Sequence, residues 1–216
     1  MDFLSCTVIA AVAYLLGSIP TGYLVARAKG IDIRTVGSGN IGATNAFRVL
    51  GKPAGIFTLL ADAFKGWTAV AWAAPFILEK ISGTAPAASD VVWARILASA
   101  CVVLGHNYTC WLKFKGGKGI ATSAGVLAAL VPWTFVISLG AWMLLVVLTR
   151  FVSVGSLAAS ISLPIATWFT LHDVTLTALT GTMGALAIYK HRGNIQRLIN
   201  GTEPRIGRPK PGEAAK

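Results

Sequence analysis

Six long apolar stretches recur along this chain of 216 residues: 3–26, 54–78, 91–112, 120–149, 151–171 and 174–189. A helix needs about 20 apolar residues to cross a hydrocarbon core about 30 Å thick, and most of the six reach that length. The fourth stretch is the longest and carries Pro132 near its middle, which suits a short helix, a turn and a second helix. The expectation is therefore an all-α polytopic integral membrane protein with about seven transmembrane helices. Composition agrees: 55% of residues are hydrophobic, 12% are charged and the mean hydropathy is +0.67, too apolar for a soluble domain.

The charges predict an orientation. With the N-terminus outside, the inner loops hold Arg27, Lys29, Arg34, Arg48 and Lys52, then Lys113, Lys115 and Lys118, then Arg150, then Lys190, Arg192 and Arg197. Arg205, Arg208, Lys210 and Lys216 follow on the C-terminal side, while Asp2, Glu79, Lys80, Asp90 and Asp173 fall outside. Positive residues thus lie inside almost throughout, and the net charge of +11 records a cytoplasmic surface rather than a nucleic-acid site. Residues 1–200 read as a single membrane-embedded domain and 201–216 as a basic cytoplasmic tail. Residues 3–26 have no basic n-region and too long an apolar run for a cleaved signal peptide. Cys6, Cys101 and Cys110 lack metal-ligand spacing and read as small core residues.

The chemistry-bearing positions cluster between the apolar stretches. In Val36-Gly37-Ser38-Gly39-Asn40-Ile41-Gly42-Ala43-Thr44-Asn45-Ala46-Phe47-Arg48, the glycines permit positive φ and close backbone approach. Ser38, Asn40, Thr44 and Asn45 add short polar side chains and Arg48 a fixed charge. A helix starting near Thr44 would aim its N-terminus at an anion held in such a turn. Gly37-x-Gly39-x-x-Gly42 also fits a dinucleotide fingerprint, but an apolar segment ending in Arg27 and Lys29 precedes it instead of a strand. Ala43 and Thr44 stand where a Walker loop needs Lys and Ser/Thr.

A second glycine-rich turn, Lys115-Gly116-Gly117-Lys118-Gly119, follows Gly105-His106-Asn107-Tyr108-Thr109 and combines exposed N–H groups with ammonium donors. His106, alone at a helix end, reads as a hydrogen-bonded packing residue. Ser153 and Ser156 open the sixth span, and His191 and Asn194, three apart, close the seventh on one helical face. Within the second stretch Asp62 and Lys65 also lie three apart, so they are expected to pair or to face an inner cavity.

With residues 37–51, 105–122 and 191–203 in that order, the chain resembles the bacterial acyl-phosphate:glycerol-3-phosphate acyltransferases (PlsY), over nearly its whole length. The resemblance implies transfer of an acyl group from acyl phosphate to the sn-1 hydroxyl of glycerol 3-phosphate, giving lysophosphatidic acid and phosphate. It implies an inner-membrane enzyme of phospholipid biosynthesis with a cytoplasm-facing site, no cofactor and no metal. By the family pattern Ser38, Gly39, Asn40, Gly42, Thr44 and Asn45 hold the acyl phosphate. Arg48, Lys118, Ser156, His191 and Asn194 line the glycerol 3-phosphate site, the last four forming the catalytic set. Gly116, Gly117, Gly119 and Glu203 support them, with Glu203 orienting His191 or a basic neighbour. The chain departs from the family where Thr109 replaces a frequent Pro.

An acyl phosphate is a mixed anhydride with a good leaving group, so direct transfer needs positioned anions and a proton acceptor rather than a covalent nucleophile. His191 is one candidate acceptor, but Lys190 and Arg192 flank it and lower its basicity. A phosphate oxygen of the donor can take the proton instead, leaving His191 to bind and orient, and this is the reading adopted. There is no G-x-S-x-G elbow with triad partners. Two other classes are weighed: an anion transporter or channel, and a lipid transferase using another activated donor. The first calls for polar residues on both faces and the second, if metal-dependent, for acidic clusters; neither pattern is visible.

Overall fold

The computed structural model describes residues 1–206; Arg208, Lys210, Glu213 and Lys216 of the expected tail lie outside the described residues. Regular structure among the described residues is helical: α1 (Phe3–Ser18), α2 (Thr21–Arg27), α3 (Ala43–Leu50), α4 (Lys52–Thr68), α5 (Ala74–Ser82), α6 (Ala88–Asn107), α7 (Ile120–Leu130), α8 (Pro132–Thr149), α9 (Val152–Leu171), α10 (Val174–Lys190) and α11 (Arg192–Ile199). Among the described residues four segments are long and apolar enough to cross a membrane: Phe3–Arg27, Ala88–Leu112, Pro132–Thr149 and Val152–Leu171.

The expected stretches 54–78 and 120–149 take a less simple form. The first is α4 and α5 joined through a π-helical turn, Ala69–Ala73. Pro75 sits in the first turn of α5, where it has no N–H for the carbonyl four residues back, and the widened turn accommodates its ring. The second breaks before Pro132, as expected, giving α7 of 11 residues and α8 of 18. At 1.5 Å per residue α7 is only about 16 Å long, so it does not cross a bilayer alone.

The chain forms two compact units, Met1–Pro132 and Trp133 onward. In the first, α1 packs on α6 and α4 on α7. A Cβ at Gly17 would fall on the Val102 carbonyl and one at Gly105 on that of Tyr14, so the α1–α6 crossing is closer than any other side chain allows. In the second, α9 packs on α10, and Ser162 Oγ donates to Ser138 Oγ at 3.2 Å between α9 and α8. Exposed Phe57, Leu60, Phe64, Trp133, Val147 and Phe169 form apolar outer faces suited to lipid. Contrary to expectation, Cys6, Cys101 and Cys110 are only partly buried.

The break between α1 and α2 gathers buried polar groups, Ser18, Asp62, Lys65 and Thr109. Pro20 ends the α1 ladder, leaving the Ser18 and Ile19 carbonyls without helical donors. Side chains replace them: Thr109 Oγ1 donates to Ser18 O at 2.6 Å and Lys65 Nζ to Ile19 O at 2.8 Å. Lys65 also pairs with Asp62 Oδ1 at 2.8 Å, both groups being buried, so the structure selects pairing for these two charges. Thr21 Oγ1 adds a hydrogen bond to the same oxygen at 3.1 Å.

Candidate active site

The first glycine-rich loop is built around Asn45. Gly37 and Gly39 adopt φ of +63° and +69°, a left-handed conformation that turns residues 36–42 over the start of α3. Asn45 is buried at 2% exposure, and its Oδ1 accepts the Ser38 N–H at 2.8 Å. Its Nδ2 faces the carbonyls of Asn40 at 2.9 Å, Val36 at 3.1 Å and Ile33 at 3.2 Å. Asn45, expected at the phosphate, has its amide engaged in holding the loop, because a turn with few ladder hydrogen bonds needs side-chain substitutes.

Asn40 closes an Asx turn, its Oδ1 accepting the Gly42 N–H at 2.9 Å. Gly42 caps α3 with extended backbone, and no side chain caps that helix's first turn. Ser38, Thr44 and Arg48 are exposed, with Thr44 and Arg48 four apart on one face of α3. Upstream, the half-buried Asp32 chelates the exposed Arg34 through Nε at 2.9 Å and Nη2 at 2.7 Å. That hydrogen bonding holds the Asp32 carboxyl down to about 2 and stiffens the approach to the loop.

The second glycine-rich turn is docked on the end of α6. The Gly116 N–H donates to the Asn107 carbonyl at 3.2 Å and the Gly117 N–H to the His106 carbonyl at 3.0 Å. Gly119, at φ +81°, starts α7. Lys118, between them, is half-buried. Thr109, at the family's frequent proline position, has φ −62°, which is the angle a proline ring imposes. The backbone is already proline-like there, and the hydroxyl additionally holds Ser18.

In the second unit Ser156, His191, Asn194 and Glu203 are all buried. The Ser156 hydroxyl donates to Val152 O at 3.0 Å, leaving its oxygen to accept. His191 Nδ1 lies 2.7 Å from Ala187 O; a carbonyl only accepts, so Nδ1 carries the proton and Nε2 of the neutral ring is an acceptor. Residues 200–203 turn back after α11, the Thr202 and Glu203 N–H groups donating to Arg197 O. This brings Glu203 Oε1 to within 2.7 Å of Asn194 Nδ2 and Oε2 to within 2.7 Å of Arg197 Nε.

Burial pushes the Glu203 carboxyl up, but the Asn194 amide, the adjacent Ser153 hydroxyl and the Arg197 guanidinium outweigh it and hold the group below the ordinary carboxylate range. Of the expected roles for Glu203, the structure supplies pairing with a basic neighbour, Arg197, and adds Asn194. Sequence reasoning counted Arg197 among the inner-loop charges and Ser153 among the hydroxyls opening the sixth span, but gave neither a place in the site. Arg197 and Glu203 are six apart across a helix end, which no periodicity marks. Ile206 N donates to Arg150 O at 2.9 Å and Arg205 lies over the Phe151 ring at 4.8 Å, so the start of the expected tail packs on the α8–α9 junction.

Apolar outer faces, helices crossing through small residues and polar groups gathered at helix ends define a polytopic integral membrane protein. The family model described as glycerol-3-phosphate acyltransferase matches residues 7–201, and the chain belongs to that family. It is 45% identical over 196 residues to the glycerol-3-phosphate acyltransferase of Endomicrobium trichonymphae, covering 90% of this chain and 92% of that one. It is 43% identical over 211 residues to the one from Clostridioides difficile, covering 97% and 100%. Among solved structures it resembles PlsY (YgiH), an integral membrane glycerol 3-phosphate acyltransferase. The glycerol 3-phosphate form matches with a TM-score of 0.83 and 38% identity, over 94% of this chain and 96% of that one. The lysophosphatidic acid form matches with a TM-score of 0.80 and 36% identity over the same shares. The chain is thus a membrane-bound acyltransferase of the PlsY type.

Proposed function

We propose that this enzyme transfers an acyl group from acyl phosphate to the sn-1 hydroxyl of glycerol 3-phosphate at the cytoplasmic face of a bacterial inner membrane. The carrying observation is the loop 37–42 over the uncapped start of α3, where glycine geometry and a helix N-terminus suit a phosphate. The solved relatives, in glycerol 3-phosphate and lysophosphatidic acid forms, supply the acceptor and product.

In this reading Ser38, Gly39, Asn40, Gly42 and Thr44 receive the acyl phosphate, and Asn45 shapes the loop. Arg48, Lys118, Ser156, His191 and Asn194 serve glycerol 3-phosphate. The sn-1 hydroxyl of the glycerol 3-phosphate, which His191 binds and orients, attacks the acyl carbonyl carbon. The bond from that carbon to the phosphate oxygen breaks, phosphate leaves with the electron pair, and one of its oxygens takes the hydroxyl proton. The basic inner loops support seven spans with the N-terminus outside. The Met1 amine, 2.9 Å from Asp90, joins two groups assigned to the outer side.

The test supplies the purified protein with palmitoyl phosphate or palmitoyl-CoA, each with glycerol 3-phosphate. Lysophosphatidic acid and inorganic phosphate are expected with palmitoyl phosphate alone. Product from the thioester, with none from the acyl phosphate, overturns the donor assignment.

A further inference from the structure

His106 is a buried polar ring in a spanning helix, and charge balance does not require it there. Asp62 Oδ1 already receives Lys65 at 2.8 Å and Thr21 at 3.1 Å, so an apolar side chain at 106 would leave that carboxylate satisfied. Instead the imidazole, 5% exposed, turns Nδ1 toward Asp62 Oδ1 at 3.7 Å. Its opposite edge lies against the second glycine-rich turn: a Cβ at Gly117 would fall on His106 Nε2. The backbone of the same residue accepts the Gly117 N–H at 3.0 Å. One residue thus meets the turn twice, through main chain and ring, and the ring's other nitrogen faces, at 3.7 Å, a carboxylate anchored at the α1–α2 break. Lys118 is the next residue along.

We propose that Asp62 and His106 are positioning residues for the Lys115–Gly119 turn. Asp62 fixes the plane of the imidazole, the imidazole fixes the Gly117 peptide, and the peptide sets where the Lys118 ammonium meets the phosphate of glycerol 3-phosphate. Neither residue touches substrate. A carboxylate and an imidazole are costly to bury in a span, and precise placement of a charged donor is the return they give, since small misplacements of a binding group are felt strongly in rate and affinity. The inference rests on the acyl-transfer reading above.

The test compares His106→Leu, which fills the space without polarity, with His106→Gln, which keeps a polar atom near the Nε2 position. A third variant, Asp62→Asn with Lys65→Met, removes the buried ion pair without stranding a charge. Wild-type transfer from palmitoyl phosphate to glycerol 3-phosphate is the control, and its failure would overturn the function rather than this inference. The expected result for His106→Leu and for the paired variant is a glycerol 3-phosphate KM raised about tenfold or more, with kcat within about threefold and the palmitoyl phosphate KM unchanged. His106→Gln is expected to recover part of the loss. A His106→Leu enzyme with wild-type KM, or variants whose kcat falls in step with thermal stability while KM stays put, would show a packing role only and overturn the proposal.

Discussion

Asn194 Nδ2 donates to Glu203 Oε1 at 2.7 Å, so a helix residue assigned to substrate is held by a carboxylate nine positions later in the chain. The same carboxylate takes Arg197 Nε at 2.7 Å. Glu203 therefore orients Asn194 and ties the end of α11 to its own first turn.

Glu203→Ala is expected to lower thermal stability and to raise the glycerol 3-phosphate KM, losing about 1.5–3 kcal/mol for each charged hydrogen bond left unmade. Glu203→Gln, which still accepts from Asn194, retains more activity. The Glu203 carboxyl is depressed in the folded protein, so its contribution is complete above the unfolded value and fades as pH falls through the folded one. The stability difference between wild type and Glu203→Ala should be flat above about pH 5 and shrink below about pH 4, as thermal melts across pH would read.

Asn40 and Asn45 separate binding from scaffolding. Asn40→Ala loses the Asx turn that orients the Gly42 peptide and is expected to raise the palmitoyl phosphate KM by a factor corresponding to about 1.5–3 kcal/mol, with little change in melting temperature. Asn45→Ala removes the support for four backbone groups and is expected to lower the melting temperature and activity toward both substrates. Kinetics and melts of equal effect in the two variants would contradict the division.

His191→Gln keeps an acceptor near the position of Nε2 and is expected to turn over measurably with a raised glycerol 3-phosphate KM, while His191→Ala loses more. If both variants are equally inactive at saturating substrate, with KM unaltered where measurable, His191 is the general base and the phosphate oxygen is not the proton acceptor.

Thr109→Pro is expected to be tolerated. The backbone already has φ −62°, and the loss of the 2.6 Å hydroxyl bond to Ser18 O, about 1 kcal/mol, is offset by about 0.4–1 kcal/mol from a stiffer unfolded chain. Thr109→Val loses the bond without that offset and should melt lower than the proline variant. The reverse order of melting temperatures would remove the hydroxyl from the account of the α1 break.

Hydrophobic stretches with basic loops were enough to read an all-helical membrane protein, because bilayer thickness and the cost of unpaired backbone act on composition and spacing that are local in sequence. Pro132 likewise announced its break, since a missing N–H is a property of the residue itself. The polar blocks at 37–48, 105–119 and 191–203 were legible as candidate sites for the same reason: glycine, asparagine and arginine carry their chemistry with them. What Asn45 and His106 do with that chemistry was not legible, because it depends on which atoms lie opposite. Asn45 faces four backbone groups, and His106 stands between Asp62, 44 positions earlier, and Gly117. Such pairings join segments with no common periodicity, so the sequence by itself determined the solvent and the helices, and only the tertiary structure decided which polar residues hold one another in place.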